Sequence, residues 1–278
     1  MIVRWHVFQN QGLRCEAQAF LPEDTRNERA ILFCPGFPGA GGTLFEQRHA
    51  GALTAEGYDV YVIKHKGIRL DTPTAPFMVN NSARLAEGRL KGEKYLGGGI
   101  ASIDDWLTEP LLALAELHER YQSIDMIGNS FGALSSLWSL TMPGAASEKV
   151  KTLVLYAGAQ GIADSIMRIW KPEYITVPRI ADKVALEDAV QIVARLKTVY
   201  EDLPKRVLNG LASHIALTYL VVERDELLTL ADTDQFRAAI GGRGRVVIDT
   251  IDKPLPEHGL MAHDTPEYPT NKILELLS

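Results

Sequence analysis

Ile124-Asp125-Met126-Ile127-Gly128-Asn129-Ser130-Phe131-Gly132-Ala133 is the stretch on which the reading of this chain turns. A short, mainly apolar run, 124–127, leads into a serine with glycine two positions before and two positions after it. A helix-compatible stretch, 130–140, follows. The two glycines remove side chains that would collide in a very tight strand-to-helix turn. Such a turn holds the serine oxygen clear of the backbone, at the amino end of the next helix. Covalent acyl chemistry is therefore the leading reading.

The segments around this stretch alternate between strand and helix. Upstream, 102–121 predicts a helix: Ser102 and Asp105 have capping-box spacing, and Trp106, Leu107, Leu111, Leu114, Ala115 and Leu117 form a stripe that should face a sheet. The apolar runs 30–34 and 58–63 read as strands covered on both faces, with a helix over 43–56 ended by Gly57. Residues 2–8 and 13–20 read as an antiparallel pair about the turn Asn10-Gln11-Gly12. Downstream come strand 152–156, strand 216–222, helix 232–240, strand 245–248 and a closing helix over 266–277. This order predicts an α/β protein with a mainly parallel central sheet, mixed because of its antiparallel start and flanked by helices. Two stretches break the rhythm. Residues 64–99 form a polar excursion with Pro73, Pro76 and three successive glycines at its end. Residues 161–212 contain a helical pattern over 181–200, punctuated by Pro172, Pro178 and Pro204. They read as a mainly helical cap or as one enlarged crossover, with 1–160 and 213–278 forming the core.

Composition limits the alternatives. The chain has 278 residues, 46% of them hydrophobic and 23% charged, enough for one substantial core or for a core with an inserted lid. The net charge of −6, with both signs mixed along the chain, argues against a nucleic-acid partner. No apolar run is long enough to span a bilayer, the first residues do not read as a secretory signal, and Cys15 and Cys34 read as two buried free thiols. A cytoplasmic location is the expectation.

A serine hydroxyl needs a base to accept its proton and an acid to orient that base. In a strand–helix array of this kind both should follow the serine, acid first. Asp225, just beyond the strand 216–222, is the leading acid and Asp164 the second; Asp232 reads as a helix cap, and Glu223 and Glu226 as surface residues. His258, in the loop after the last strand, is the leading base, His263 is the second, and His214 leads into a strand. The oxyanion needs two pre-aimed donors. The amide of Phe131 is one; Phe37 is the other, because Pro35 and Pro38 in the same loop have no N–H to give. Trp170 and Met167, in the cap, are candidates for contact with an apolar acyl group, or equally for packing the cap onto the core. The basic run Lys64-His65-Lys66-Gly67-Ile68-Arg69 reads as a solvated loop or, second, as a seat for an anionic part of the substrate, such as a carboxylate or phosphate. His258, His263 and Asp264 fit no strong metal motif, and Gly97, Gly98 and Gly99 lack the lysine and hydroxyl of a phosphate loop, so neither a metal nor a cofactor is expected.

Taken together, these motifs resemble the α/β-hydrolase superfamily over most of the chain. Gly128-Asn129-Ser130-Phe131-Gly132 is similar to the family's nucleophile motif. Phe33-Cys34-Pro35-Gly36-Phe37-Pro38-Gly39 resembles its oxyanion segment, with Pro35 where histidine is usual. Glu223-Arg224-Asp225-Glu226-Leu227-Leu228 resembles the acid segment without its usual glycine, and His258-Gly259-Leu260 the terminal histidine segment. The resemblance implies a sheet of about eight strands, a cap between the sixth and seventh, and a serine hydrolase that cleaves a small-molecule ester, thioester or amide through an acyl-enzyme. Two alternatives share these residues: an acyltransferase with the same Ser-His-Asp site, and a non-catalytic ligand-binding protein that keeps the fold.

Overall fold

The computed structural model describes residues 1–10, 12–23, 27–38, 44–70, 87–88, 90–158, 167, 170–223, 225, 227–250 and 270–277. Two strands, β1 (Ile2–Asn10) and β2 (Leu13–Leu21), pair antiparallel in the register Phe8 opposite Cys15. Then come β3 (Arg29–Cys34), α1 (Leu44–Ala55), β4 (Asp59–Lys64), α2 (Ile103–Arg120), β5 (Ser123–Asn129), α3 (Phe131–Leu140) and β6 (Val150–Tyr156). Among the described residues, two single helical turns, α4 (Pro172–Ile175) and α5 (Pro178–Ala181), and the long α6 (Ala189–Gly210) separate β6 from β7 (Ala216–Val222). The chain continues through α7 (Leu230–Ala239), β8 (Arg245–Asp249) and α8 (Thr270–Leu276). The eight strands lie side by side in the order β1-β2-β4-β3-β5-β6-β7-β8. β2 meets β4 antiparallel, and every pairing from β4 to β8 is parallel. The mixed, mainly parallel sheet with a helical insertion is thus as expected.

Alternation along each strand divides the core into two layers. In β3, Ala30, Leu32 and Cys34 join one layer while Ile31 and Phe33 join the other, all of them buried. The larger layer includes buried residues of α2, α3, α6 and α7; the smaller lies beneath α1 and α8. Helix α2 begins as its capping box requires: Ser102 Oγ accepts from the Asp105 N–H at 3.1 Å, and Asp105 Oδ2 accepts from the Ser102 N–H at 2.8 Å.

The long insertion helix departs from expectation. It starts at 189, not 181, and runs past Pro204. Asp188 sets the start by accepting from the N–H groups of Val190 and Gln191. Proline removes one internal hydrogen bond, but Ile192, Leu196, Val199, Leu203 and Val207 bury the face that anchors the helix. Residues 183–187 instead lie extended against the excursion after β4. Arg69 N–H bonds to the Lys183 carbonyl at 2.8 Å, Ala185 N–H to that of Gly67 at 2.8 Å, and Ala101 N–H to that of Ala185 at 2.9 Å. Among the described residues no helix is long and apolar enough to cross a membrane.

Candidate active site

Strand β5 ends at Asn129, α3 begins at Phe131, and Ser130 makes the whole turn between them at φ 50°, ψ −116°. Such a conformation is strained for a residue with a side chain, by about 1–3 kcal/mol. Its neighbours explain why it persists. The Ser130 N–H bonds to the Tyr156 carbonyl at 2.9 Å, and the Ser130 carbonyl accepts from the Ala133 N–H at 3.0 Å. A methyl group on Gly128 would stand 2.6 Å from the Gly132 carbonyl oxygen, and one on Gly132 would stand 1.9 Å from that of Cys34. Both flanking glycines are therefore needed for space, because helix α3 is pressed against strand ends on either side.

The β3–α1 loop passes directly beside the turn. A methyl on Gly36 would lie 3.0 Å from Ser130 Cβ and 3.2 Å from Asn129 Oδ1. Phe37, the next residue, is half-buried. Phe131 holds the first position of α3, so its N–H is among the helix amides with no acceptor in their own helix. The partial positive charge of the helix N-terminus is greatest there. Cys34, which ends β3, is fully buried, and burial pushes its thiol up to about 12.

Both phenylalanine rings stand on one platform. The Trp106 ring centroid is 5.7 Å from that of Phe37 and 5.7 Å from that of Phe131. Trp106 stacks on His65 at 4.3 Å with 11° between the planes, and its Nε1–H donates to the Lys66 carbonyl at 3.0 Å. His65 Nδ1 hydrogen-bonds to Glu109 Oε2, and Glu109 Oε1 accepts from the Lys66 N–H at 2.8 Å. Lys66 Nζ bonds to both oxygens of Asp105 at 3.0 Å. Burial pushes the Asp105 carboxyl up, but the Ser102 N–H, Lys66 and the Ser102 hydroxyl together hold it below its ordinary value. The basic run is thus no solvated loop. Lys64 and His65 are each 1% exposed, and Lys66 is engaged by α2.

Of the residues singled out between β6 and β7, Trp170 packs edge-to-face on Phe37 at 4.8 Å and lies 6.3 Å from Phe131. Met167 is partly buried against the same core layer. Asp225 is 5% exposed, and its Oδ1 accepts from the N–H groups of Leu227 and Leu228 at 2.8 and 2.9 Å, which fixes the carboxylate's orientation. It follows β7, two strands from β5, at the same carboxyl edge of the sheet and about 10 Å across at ordinary strand spacing. Asp232 serves the start of α7, but as its third residue: Thr229 is the cap, and the two close a capping box. His214 bonds to the Ser147 carbonyl at 3.1 Å. His258, His263 and Asp164 lie outside the described residues. Among the described residues no group of three His, Cys, Asp or Glu could hold a metal ion.

The sequence reading passed over two features. Ala157, at the end of β6, has φ 41° and donates to the Leu220 carbonyl at 3.1 Å. Asp125 lies mid-β5 with no exposure, and burial raises its carboxyl to about 6. Neither oxygen makes a hydrogen bond of ordinary geometry; Thr152 and Arg29, the latter at 3.7 Å, offset only part of the burial penalty.

A turn-mounted serine at the carboxyl edge of this sheet, with the β3 loop beside it and a helical insertion after β6, defines the α/β-hydrolase fold. Solved structures share it. Est1E from Butyrivibrio proteoclasticus is similar with a TM-score of 0.62 at 14% identity, over 98% of this chain and 94% of that one. The Pyrococcus furiosus esterase Pf2001 is similar with a TM-score of 0.59 at 13% identity, over 99% and 89%. The esterase domain of a Rhodothermus marinus protein is similar with a TM-score of 0.56 at 17% identity, over 90% and 88%. At such identities the likeness is one of fold. No protein-family model matches the chain, and no curated protein does.

Proposed function

We propose that this chain is a serine hydrolase that cleaves a carboxylic ester or thioester through an acyl-enzyme intermediate. The observation that carries the proposal is the backbone of Ser130, held at φ 50° between two glycines that leave no room for a methyl group. The esterases named among the solved structures support it.

In the proposed reaction His258 takes the proton of Ser130 Oγ as that oxygen bonds to the acyl carbon. The carbonyl electrons move onto oxygen, where the amides of Phe131 and Phe37 stabilise them. When the tetrahedral species collapses, the alkoxide or thiolate leaves with the proton from His258. Water then repeats the sequence on the acyl-enzyme and releases the acid. Asp225 orients the imidazole throughout, a role for which its two backbone hydrogen bonds suit it. Residues 161–212 act as the cap, with Trp170 and Met167 against the acyl group. This scheme uses no cofactor.

The test is labelling with a fluorophosphonate, followed by turnover on a panel of aryl esters and acyl thioesters of graded length. Wild type is expected to label, and Ser130→Ala to remain folded, escape labelling and lose roughly 10⁴-fold or more in kcat. Equal turnover by the two proteins would remove Ser130 from the chemistry.

A further inference from the structure

We propose that Trp106 is a positioning residue that holds both oxyanion donors in register; the inference rests on the hydrolase reading above. The two donors come from segments far apart in sequence, the β3–α1 loop and the first turn of α3. A tetrahedral oxygen needs both amides aimed at one point, so something must fix one segment relative to the other. The Ser130 turn approaches the loop at Gly36, where a methyl would lie 3.0 Å from Ser130 Cβ, but that approach fixes only one point of the loop. On the side-chain side, Phe37 and Phe131 meet a common surface. Each ring lies 5.7 Å from Trp106, at 47° for Phe37 and 75° for Phe131.

Trp106 is itself held on several sides. Its backbone belongs to α2, its Nε1–H is bonded to the Lys66 carbonyl, and one face of the indole is covered by His65. Glu109, one turn along α2, fixes the His65 ring and the Lys66 amide together. Trp106 has no solvent exposure. Its ring cannot turn without breaking the Lys66 bond or opening the stack, and neither phenylalanine can shift toward it. By its place in the helical stripe Trp106 reads as an ordinary sheet-facing core residue. Its contacts add to that role: the two rings resting on it belong to the two residues whose amides must converge, and unlike Trp170, which also meets both rings, it is anchored by the Lys66 bond and the His65 stack.

The experiment compares Trp106→Leu, which removes ring and hydrogen bond, with Trp106→Phe, which keeps a ring and loses only the bond. Trp138→Leu is the control. Trp138 is a second buried tryptophan, on α3, and its indole lies under Arg206 at 4.0 Å and Arg195 at 5.7 Å. The readouts are fluorophosphonate labelling, melting temperature, kcat and KM on one aryl ester, and affinity for a trifluoromethyl ketone, which binds as a tetrahedral oxyanion. Trp106→Leu is expected to lower kcat by roughly 10- to 100-fold with KM within about twofold, and to weaken the ketone in the same ratio. Trp106→Phe should fall between it and wild type. Trp138→Leu should lower the melting temperature comparably while kcat stays within about twofold of wild type. Should Trp106→Leu not fold, the kcat and ketone affinity of Trp106→Phe decide. Wild-type ketone affinity in the folded Trp106 variants, or an equal kcat loss in Trp138→Leu, would overturn the inference while leaving the hydrolase reading intact. A wild type that neither labels nor turns over an ester would overturn both.

Discussion

Gly132→Ala tests how tightly the site is built. The added methyl would sit 1.9 Å from the Cys34 carbonyl oxygen, 2.5 Å from its carbonyl carbon and 2.8 Å from the Pro35 carbonyl oxygen. Ordinary contact begins at 3.4 Å, so α3 and the end of β3 must separate by about 1.5 Å. All three obstructing atoms are backbone, and no flexible side chain can yield. The separation would open between Ser130 and the loop that carries Phe37, that is, between the proposed nucleophile and its second oxyanion donor. A misplacement of about 1 Å in such a site lowers kcat roughly 100-fold, and overpacking costs about 1–3 kcal/mol of stability. Kinetics on an aryl ester and thermal melts measure both. Gly144→Ala serves as control: its φ of 77° makes alanine strained, but nothing lies within 4 Å of the new methyl. It should lower the melting temperature while leaving kcat unchanged. Wild-type kcat and melting temperature in Gly132→Ala would refute the close apposition of helix and strand on which the site is built.

Asp125→Asn should stabilise the fold at neutral pH. Because the folded carboxyl titrates near 6, above its unfolded value of about 4, the folded state favours the protonated form; wild type loses stability as pH rises from about 4 to 6 and no further above that. The advantage of the asparagine variant over wild type, measured by urea unfolding, should grow by about 2 kcal/mol between pH 4 and pH 7.5, and a gap independent of pH would count against a buried ionised Asp125. Asp225→Asn can keep an oxygen for the Leu227 and Leu228 amides but cannot hold a charged imidazole. It should fold with a melting temperature near wild type and lose roughly 10³- to 10⁴-fold in kcat; full activity would assign the acid elsewhere.

Much of this fold was legible because its signals are local. Gly57 at φ 92°, the Ser102–Asp105 capping box and the two glycines around Ser130 are each decided within a few residues of chain. Strand 216–222 was legible to the residue, a mainly apolar, partly β-branched run that stops at the charged Glu223. What escaped depends on partners distant in sequence. Lys64, His65 and Lys66 look solvated until Asp105 and Glu109 arrive from α2. The helical pattern over 181–188 gives way because residues 183–187 find extended partners near Gly67 and Ala101. Within the candidate site, the serine turn and the residue that follows β7 could be read from spacing alone. The aromatic platform could not, since Trp106 belongs to an ordinary amphipathic stripe until Phe37 and Phe131 are brought onto it.

The short ladder joining 67–69, 101 and 183–187 also bears on how this protein can be re-engineered. A side chain at Gly67 would meet the Ala185 carbonyl at 2.5 Å and the Ala101 Cβ at 2.9 Å, so those three strips of chain are matched surfaces. A graft that imports a foreign insertion between β6 and β7 while retaining the native link between β4 and α2 would bring together halves never fitted to each other. The natural exchangeable module is the pair of connections, transplanted as one piece, with the sheet beneath left as the recipient.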